Sequence, residues 1–193
     1  WEHHFPKYLI SARDYKTGAI YLAYTQEKSS MATALFVDYL LSSLQYYGID
    51  PQSIVIQTDN GKEFTNPTDR KVTLFEKLVK EKYQATHFLI PYRRPTWNSD
   101  VESFHNLIEE EFFLSEKPNS EIDLLAKTFA YQIWFNSFRN NRGRNNQNPE
   151  QIFQSELNTK KPLPNIPPIL VDKYIQLIAK DNEVGYFLPL PPS

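Results

Sequence analysis

Two carboxylates stand at positions where their charge needs an explanation. Asp59 ends the apolar run SIVIQTD, residues 53–59, and is followed by Asn60-Gly61-Lys62-Glu63-Phe64. A charge at the tip of a buried strand is costly unless something pairs with it. Either Asp59 starts an Asp-Asn-Gly turn, or it holds a cation. Glu102 lies at the start of VESFHNLIEEEFF, residues 101–113, beside Val101 on the edge of a stripe formed by Val101, Phe104, Ile108 and Phe112. There the helix dipole alone favours an acid, or the side chain points along the sheet toward Asp59. Two carboxylates on rigid elements hold Mg²⁺ or Mn²⁺ through oxygen. A pair of such ions stabilises both the attacking and the leaving oxygen of a phosphodiester displacement.

Other residues gather near these two in sequence. Lys62 and Glu63 flank the Asp59 turn. Arg93, Arg94 and Trp97 lie in the loop PYRRPTWNS just before the Glu102 helix. Arginine grips phosphate with two bonds and tryptophan stacks on bases, so this loop either holds DNA or is ordinary surface with Trp97 packed on the core. His105, Asn106 and Glu109 share the Glu102 face at i+3, i+4 and i+7. His87, inside a strand run, is expected to be a packed core histidine. The acidic run Glu109–Glu111 reads as a solvated face. Arg139, Arg142 and Arg144 form a basic loop that either touches phosphate or is simply solvated.

The elements that must carry these residues follow from pattern. YLISAR and AIYLAYTQ are β-rich runs joined by DYKTG, which reads as a hairpin with Asp14 and Gly18 in its turn. Ser29 or Ser30 caps a helix over 31–47 with Phe36, Leu40, Leu44 and Tyr47 inward, closed by Gly48. The continuous apolar character of SIVIQTD predicts a strand buried on both faces, and ATHFLI reads as the next buried strand. An amphipathic helix over 69–83 carries Leu74 and Leu78 inward. Asp100 or Ser99 caps the Glu102 helix, and a longer helix near 120–138 carries Ile122, Leu125, Phe129, Ile133 and Trp134. Phe129, Trp134 and Phe138 read as core. PLPNIPP, from Pro162, reads as a stiff extended linker, and ILVDKYIQLI as a strand or a helix. The order predicts a mixed sheet with helices packed on it.

Composition bounds the class. The 193 residues, 40% hydrophobic and 15% aromatic, suffice for one globular domain and a small appendage. Cysteine is absent, so neither a disulfide framework nor a cysteine-based zinc site can form, which fits a cytoplasmic protein. No apolar run is long enough for a membrane span. The net charge of −2 argues against a simple cationic nucleic-acid binder, so any such role rests on local clusters or metal ions.

TDNGKEF, followed by NSDVESFHNLIEEEF and then QNPEQIF, resembles the catalytic core of retroviral-type integrases and of insertion-sequence transposases of the Asp-Asp-Glu class. The resemblance covers about Tyr8 to Phe153. It implies an α/β fold: a ribonuclease-H-like mixed sheet flanked by helices. By position, Asp59 matches the second catalytic Asp and Glu102 the catalytic Glu, with 102 − 59 − 1 = 42 residues between them. The resemblance also implies two Mg²⁺ or Mn²⁺ ions, double-stranded DNA ends and target as partners, a homo-oligomer when complete, and DNA-associated action in DNA integration and transposition.

The departure is the first Asp, which in the family lies on a strand before the hairpin. Asp14 sits in the hairpin turn instead, so the first strand and its ligand are expected to be missing. On this reading residues 1–156 are an N-terminally truncated core and 157–193 a Pro-rich linker and C-terminal extension. Two rivals stay open. One is another ribonuclease-H-like nuclease that cuts without strand transfer. The other is an inactive or domesticated fragment that binds DNA or protein. Upstream coding sequence separates them: an Asp-bearing strand restores the enzyme, and a start codon near Trp1 removes it.

Overall fold

The computed structural model describes residues 5–65, 72–91, 97 and 99–174. The chain forms two compact units. Unit one comprises Trp1–Phe5, Ser11–Leu22 and Arg93–Pro168, and unit two Pro6–Ile10, Ala23–Tyr92 and Ile169–Ser193. The architecture is mixed α/β. Strands β1 (Tyr8–Arg13) and β2 (Ile20–Thr25) are joined by the predicted hairpin. Asp14 accepts from the Thr17 N–H and hydroxyl, and Gly18 takes φ +79. The pairs Lys7–Thr25 and Asp14–Ala19 mark antiparallel pairing. Strand β5 (Ile169–Leu170) adds to β2 in parallel at Ala23 and Tyr24, so this sheet is mixed, in the order β1-β2-β5. Strands β3 (Val55–Thr58) and β4 (Thr86–Leu89) form a separate parallel pair. Among the described residues the strands therefore make two sheets, not one.

In unit two, helix α1 (Ser30–Tyr46) starts where sequence predicts. The Ser29 hydroxyl accepts from the Ala32 N–H, and Gly48, at φ +84, closes the helix with Ile49 N–H bonded to Leu44 C=O. Its buried face is Ala32, Thr33, Ala34, Phe36, Val37, Leu40 and Leu41. Leu44 is only partly buried and Tyr47 is 37% exposed, so the tail of the expected stripe turns outward. Helix α2 (Leu74–Lys77) begins at a Thr73–Glu76 capping box and widens into a π-turn over Leu78–Lys82. Phe75 and Val79 are the fully buried residues, and Leu74 is 39% exposed. Leu78 packs partly buried against the same cluster as predicted, so the inward face carries Phe75, Leu78 and Val79, and only Leu74 departs from the expectation.

Among the described residues, strands β3 and β4 are covered on one face only. Ile56 packs against the α1–α2 cluster and the His87 ring packs edge-on against Phe75. The alternate residues face out, with Val55 63% and Phe88 38% exposed. The expectation of burial on both faces therefore fails. An apolar run does not say how many layers cover it, and here the single α1–α2 layer suffices for the period-2 face carrying Ile56 and His87.

In unit one, helix α3 (Ser99–Ile108) continues as a wide turn over Glu109–Phe113 and buries Phe104, Ile108 and Phe112, as its stripe predicts. Helix α4 (Glu121–Ser137) does not follow prediction. It buries Leu124, Thr128, Tyr131, Gln132, Phe135 and Asn136, while Ile122 is 81%, Trp134 43% and Phe138 69% exposed. The polar pair turns inward because β2 needs it. Asn136 Oδ1 accepts from Ile20 N–H and its Nδ2 donates to Ile20 C=O, while Gln132 Oε1 accepts from Leu22 N–H. These amides stand in for a neighbouring strand. Helix α5 (Pro149–Glu156) is capped by Asn148 and Gln151. The segment read as a stiff extended linker has no helix or strand over 159–168, and it buries Leu163 and Ile166, with Gln132 Nε2 donating to Ile166 C=O.

Candidate functional site

Asp59 belongs to unit two and follows the buried Thr58 at the carboxyl end of β3. Both neighbours are tied down. Thr58 Oγ1 donates to Asp59 C=O (3.0 Å) and pairs with His87 Nε2 on β4 (2.9 Å), while Asn60 Nδ2 donates to Ile90 C=O (2.8 Å). Asp59 does start a turn, since its Oδ1 accepts from Gly61 N–H at 2.9 Å. It is also exposed. The other ring nitrogen of His87 is Nδ1. That atom is buried with no partner, and burial lowers the pKa of His87.

Gly61 serves space and not backbone conformation, for its φ is not in the left-handed region. A Cβ there would lie 2.7 Å from Glu63 Oε2 and 2.9 Å from Asp59 Oδ1. The two carboxylates thus crowd one point, and a cation answers them. Lys28 Nζ sits 3.0 Å from Glu63 Oε1. Its pKa is raised first by Glu63 and further by Asp59. Thr33 Oγ1 donates to Glu63 C=O (3.0 Å), holding the start of α1 beside this turn. Sequence reasoning missed Lys28. Nothing in the spacing of a lysine 31 residues before Asp59 (59 − 28) signals the pairing. Lys62, which it did name, is exposed and makes no ion pair among the described residues.

Glu102 belongs to unit one, where it is exposed in the first turn of α3. The second half of β1 holds this helix. Arg13 Nε donates to Asp100 Oδ2 at 2.5 Å and Nη2 to Oδ1 at 3.3 Å. The same guanidinium lies over the Phe104 and Phe135 rings, at 5.5 and 5.8 Å. Ser11 Oγ pairs with His105 Nε2 at 2.8 Å. Desolvation lowers the His105 pKa, and Glu102 acts the other way. Sequence placed His105 on the Glu102 face but gave no hint of Ser11 or Arg13.

Arg93 and Arg94 lie outside the described residues; Trp97 is described and 48% exposed. Two readings of charge need correction. Arg139 is no loose phosphate contact, since it donates to Glu111 at 2.7 Å, and Tyr131 also donates to Glu111. Glu111 is therefore a structural acceptor and not plain solvated surface. Arg144 bonds the Lys16 and Tyr15 carbonyls of the hairpin turn. Its Nε would lie 2.9 Å from any Cβ at position 18, so Gly18 serves both φ and close approach.

Exposed carboxylates suit a hard divalent cation, and the Lys28 ammonium beside Glu63 and Asp59 marks a place where positive charge is already accommodated. Among the described residues no cluster of three Asp, Glu, His or Cys side chains forms. No helix among them is long and apolar enough to cross a membrane. Comparison with protein-family models and with curated proteins finds no match for this chain.

Proposed function

We propose that this chain is the catalytic core of a DNA transposase or integrase, a ribonuclease-H-like polynucleotidyl transferase that cleaves phosphodiesters and joins DNA strands. The observation that carries the reading is Asp59. It is an exposed carboxylate at the carboxyl end of a parallel strand, where sites of α/β sheets gather, and bonds to β4 and to Ile90 hold both its neighbours. The order hairpin, α1, parallel β3–β4, then α3 with an outward Glu102 supports it. On this reading Asp59 and Glu102 would each offer a carboxylate to Mg²⁺ or Mn²⁺, which would supply charge stabilisation at a scissile phosphate. Lys62, Arg93, Arg94 and Trp97 grip double-stranded DNA, and the complete protein acts as a homo-oligomer on DNA in the cytoplasm. The third acidic ligand comes from outside the described residues. A strand bearing it has edges to join, because among the described residues neither β1 nor β3 has a strand on its outer side.

The test is cleavage and strand transfer on a short duplex with Mn²⁺, comparing this chain with a form extended upstream. Activity is expected in the extended form and is expected to vanish in Asp59→Asn and in Glu102→Gln. Activity in neither form, or activity that survives both substitutions, overturns the reading.

A further inference from the structure

We propose that Arg13, assisted by Ser11, is the positioning residue for Glu102: it fixes which face of α3 turns outward. The inference rests on the proposed role of Glu102 for its purpose, and on the geometry of unit one for its physics.

Residues on a helix advance by about 100° each. Asp100 and Phe104 are one turn apart and share a side of α3, and Glu102, midway between them, falls on the opposite side. Arg13 holds the first side twice over. It forks onto both oxygens of Asp100, and its Cζ lies 5.5 Å from the centre of the Phe104 ring. Gripping a carboxylate with two bonds fixes rotation as well as distance. Ser11 and Arg13 are i and i+2 on β1, hence on one face of the strand, and Ser11 supplies a second attachment at His105. The two attachments, at Asp100 and His105, bracket Glu102 along the helix. With Arg144 Nη2 also 3.6 Å from Asp100 Oδ2, these attachments hold α3 against roll and tilt more tightly than its buried stripe of Phe104, Ile108 and Phe112 does alone.

Stability alone does not account for this arrangement. The Arg13 side chain is only 6% exposed, and its Nη1 is buried with no partner. A buried, unmet donor carries a real cost, and packed apolar residues often replace buried ion pairs without loss. An apolar residue at position 13 would avoid that cost, but it could not set the azimuth of α3.

The chain has no cysteine, so Glu102→Cys places a nitroxide label at that position alone, and Ile122→Cys gives a control on the exposed side of α4. Arg13→Lys keeps the charge and loses the two-bond fork. Asp100→Asn is the milder second variant, should the first fail to fold. In either background the label at 102 is expected to gain mobility while the label at 122 does not. In the unlabelled chain, Mn²⁺ affinity is expected to fall about tenfold, at the lower end of what supporting residues contribute around metal sites. Unchanged mobility at 102, or equal loosening at 102 and 122, overturns the proposal, the latter because it marks Arg13 as ordinary packing. If Glu102→Gln leaves Mn²⁺ affinity unaltered, the metal reading of Glu102 fails, and the label still decides whether Arg13 positions it.

Discussion

Two glycines with different duties illustrate what single residues decide here. Gly18 has φ +79 and Arg144 against it, whereas Gly61 has ordinary φ and two carboxylates against it. Gly18→Ala must bear backbone strain and displace Arg144, so it is expected to lower unfolding free energy by about 1–3 kcal/mol. Gly61→Ala meets only the movable ends of Asp59 and Glu63. It is expected to cost under about 1 kcal/mol, yet to weaken Mn²⁺ binding by pushing the carboxylates off their point. Denaturant melts paired with Mn²⁺ titration separate the two. A large stability loss in Gly61→Ala would contradict the assignment of crowding to side-chain tips. His87 supplies a pH signature. Its pKa is lowered in the fold, below its ordinary 6.5, by burial, so in the window between that lowered value and 6.5 the unfolded chain binds more protons. Stability should rise with pH across this window and be lost as pH falls through it. His105 has the same sign. Melts from pH 7 down to 4.5 should show the slope, and His87→Gln should flatten part of it.

At the scale of elements, what could be read from sequence was local and what could not was tertiary. Ser29 and Gly48 announce the ends of α1, Asp14 and Gly18 announce the hairpin, and the Phe104–Ile108–Phe112 spacing announces α3, because each is settled by neighbours within a turn or two. Helix α4 misleads for a physical reason. The rule that polar residues face water fails when a strand edge nearby leaves backbone groups unpaired, and here Gln132 and Asn136, both 0% exposed, take that edge. Lys28 beside Glu63, and Arg13 beside Asp100, escaped notice for the same reason. Their partners lie 35 residues (63 − 28) and 87 residues away, and no periodicity reaches so far. A consequence can be measured. Asn136→Ala leaves Ile20 N–H and C=O unmet, each worth about 1–3 kcal/mol when buried. A loss of about 3 kcal/mol is expected, with hydrogen exchange at Ile20 speeding up more than at Tyr24, whose partner is β5. Gln132→Ala should act likewise at Leu22. Equal acceleration along the whole of β2 would mean that the amides merely fill space.

The molecule as a whole carries 21 basic and 23 acidic side chains, and this balance constrains the DNA binding proposed above. Affinity for a polyanion must come from a few well-placed cations, with divalent ions offsetting the exposed carboxylates. The described cations are mostly committed: Arg13 to Asp100, Arg139 to Glu111, Lys28 to Glu63, Lys82 to Asp38. Arg93 and Arg94, in the acid-free run PYRRPTWNS immediately before the Glu102 helix, are the proposed phosphate contacts. Each phosphate neutralised steepens the fall of log affinity with log salt by about 0.9 on duplex DNA. Replacing both arginines with Ala should therefore flatten that slope by about 2 and leave sequence preference nearly unchanged, because phosphate contacts carry no base information. Adding Mg²⁺ should strengthen binding of the parent chain through Asp59 and Glu102, an effect expected to disappear in Glu102→Gln. An unaltered salt slope in a variant with the parent's circular dichroism would remove Arg93 and Arg94 from the DNA surface. Mg²⁺ enhancement that survives in Glu102→Gln would remove Glu102 from the metal.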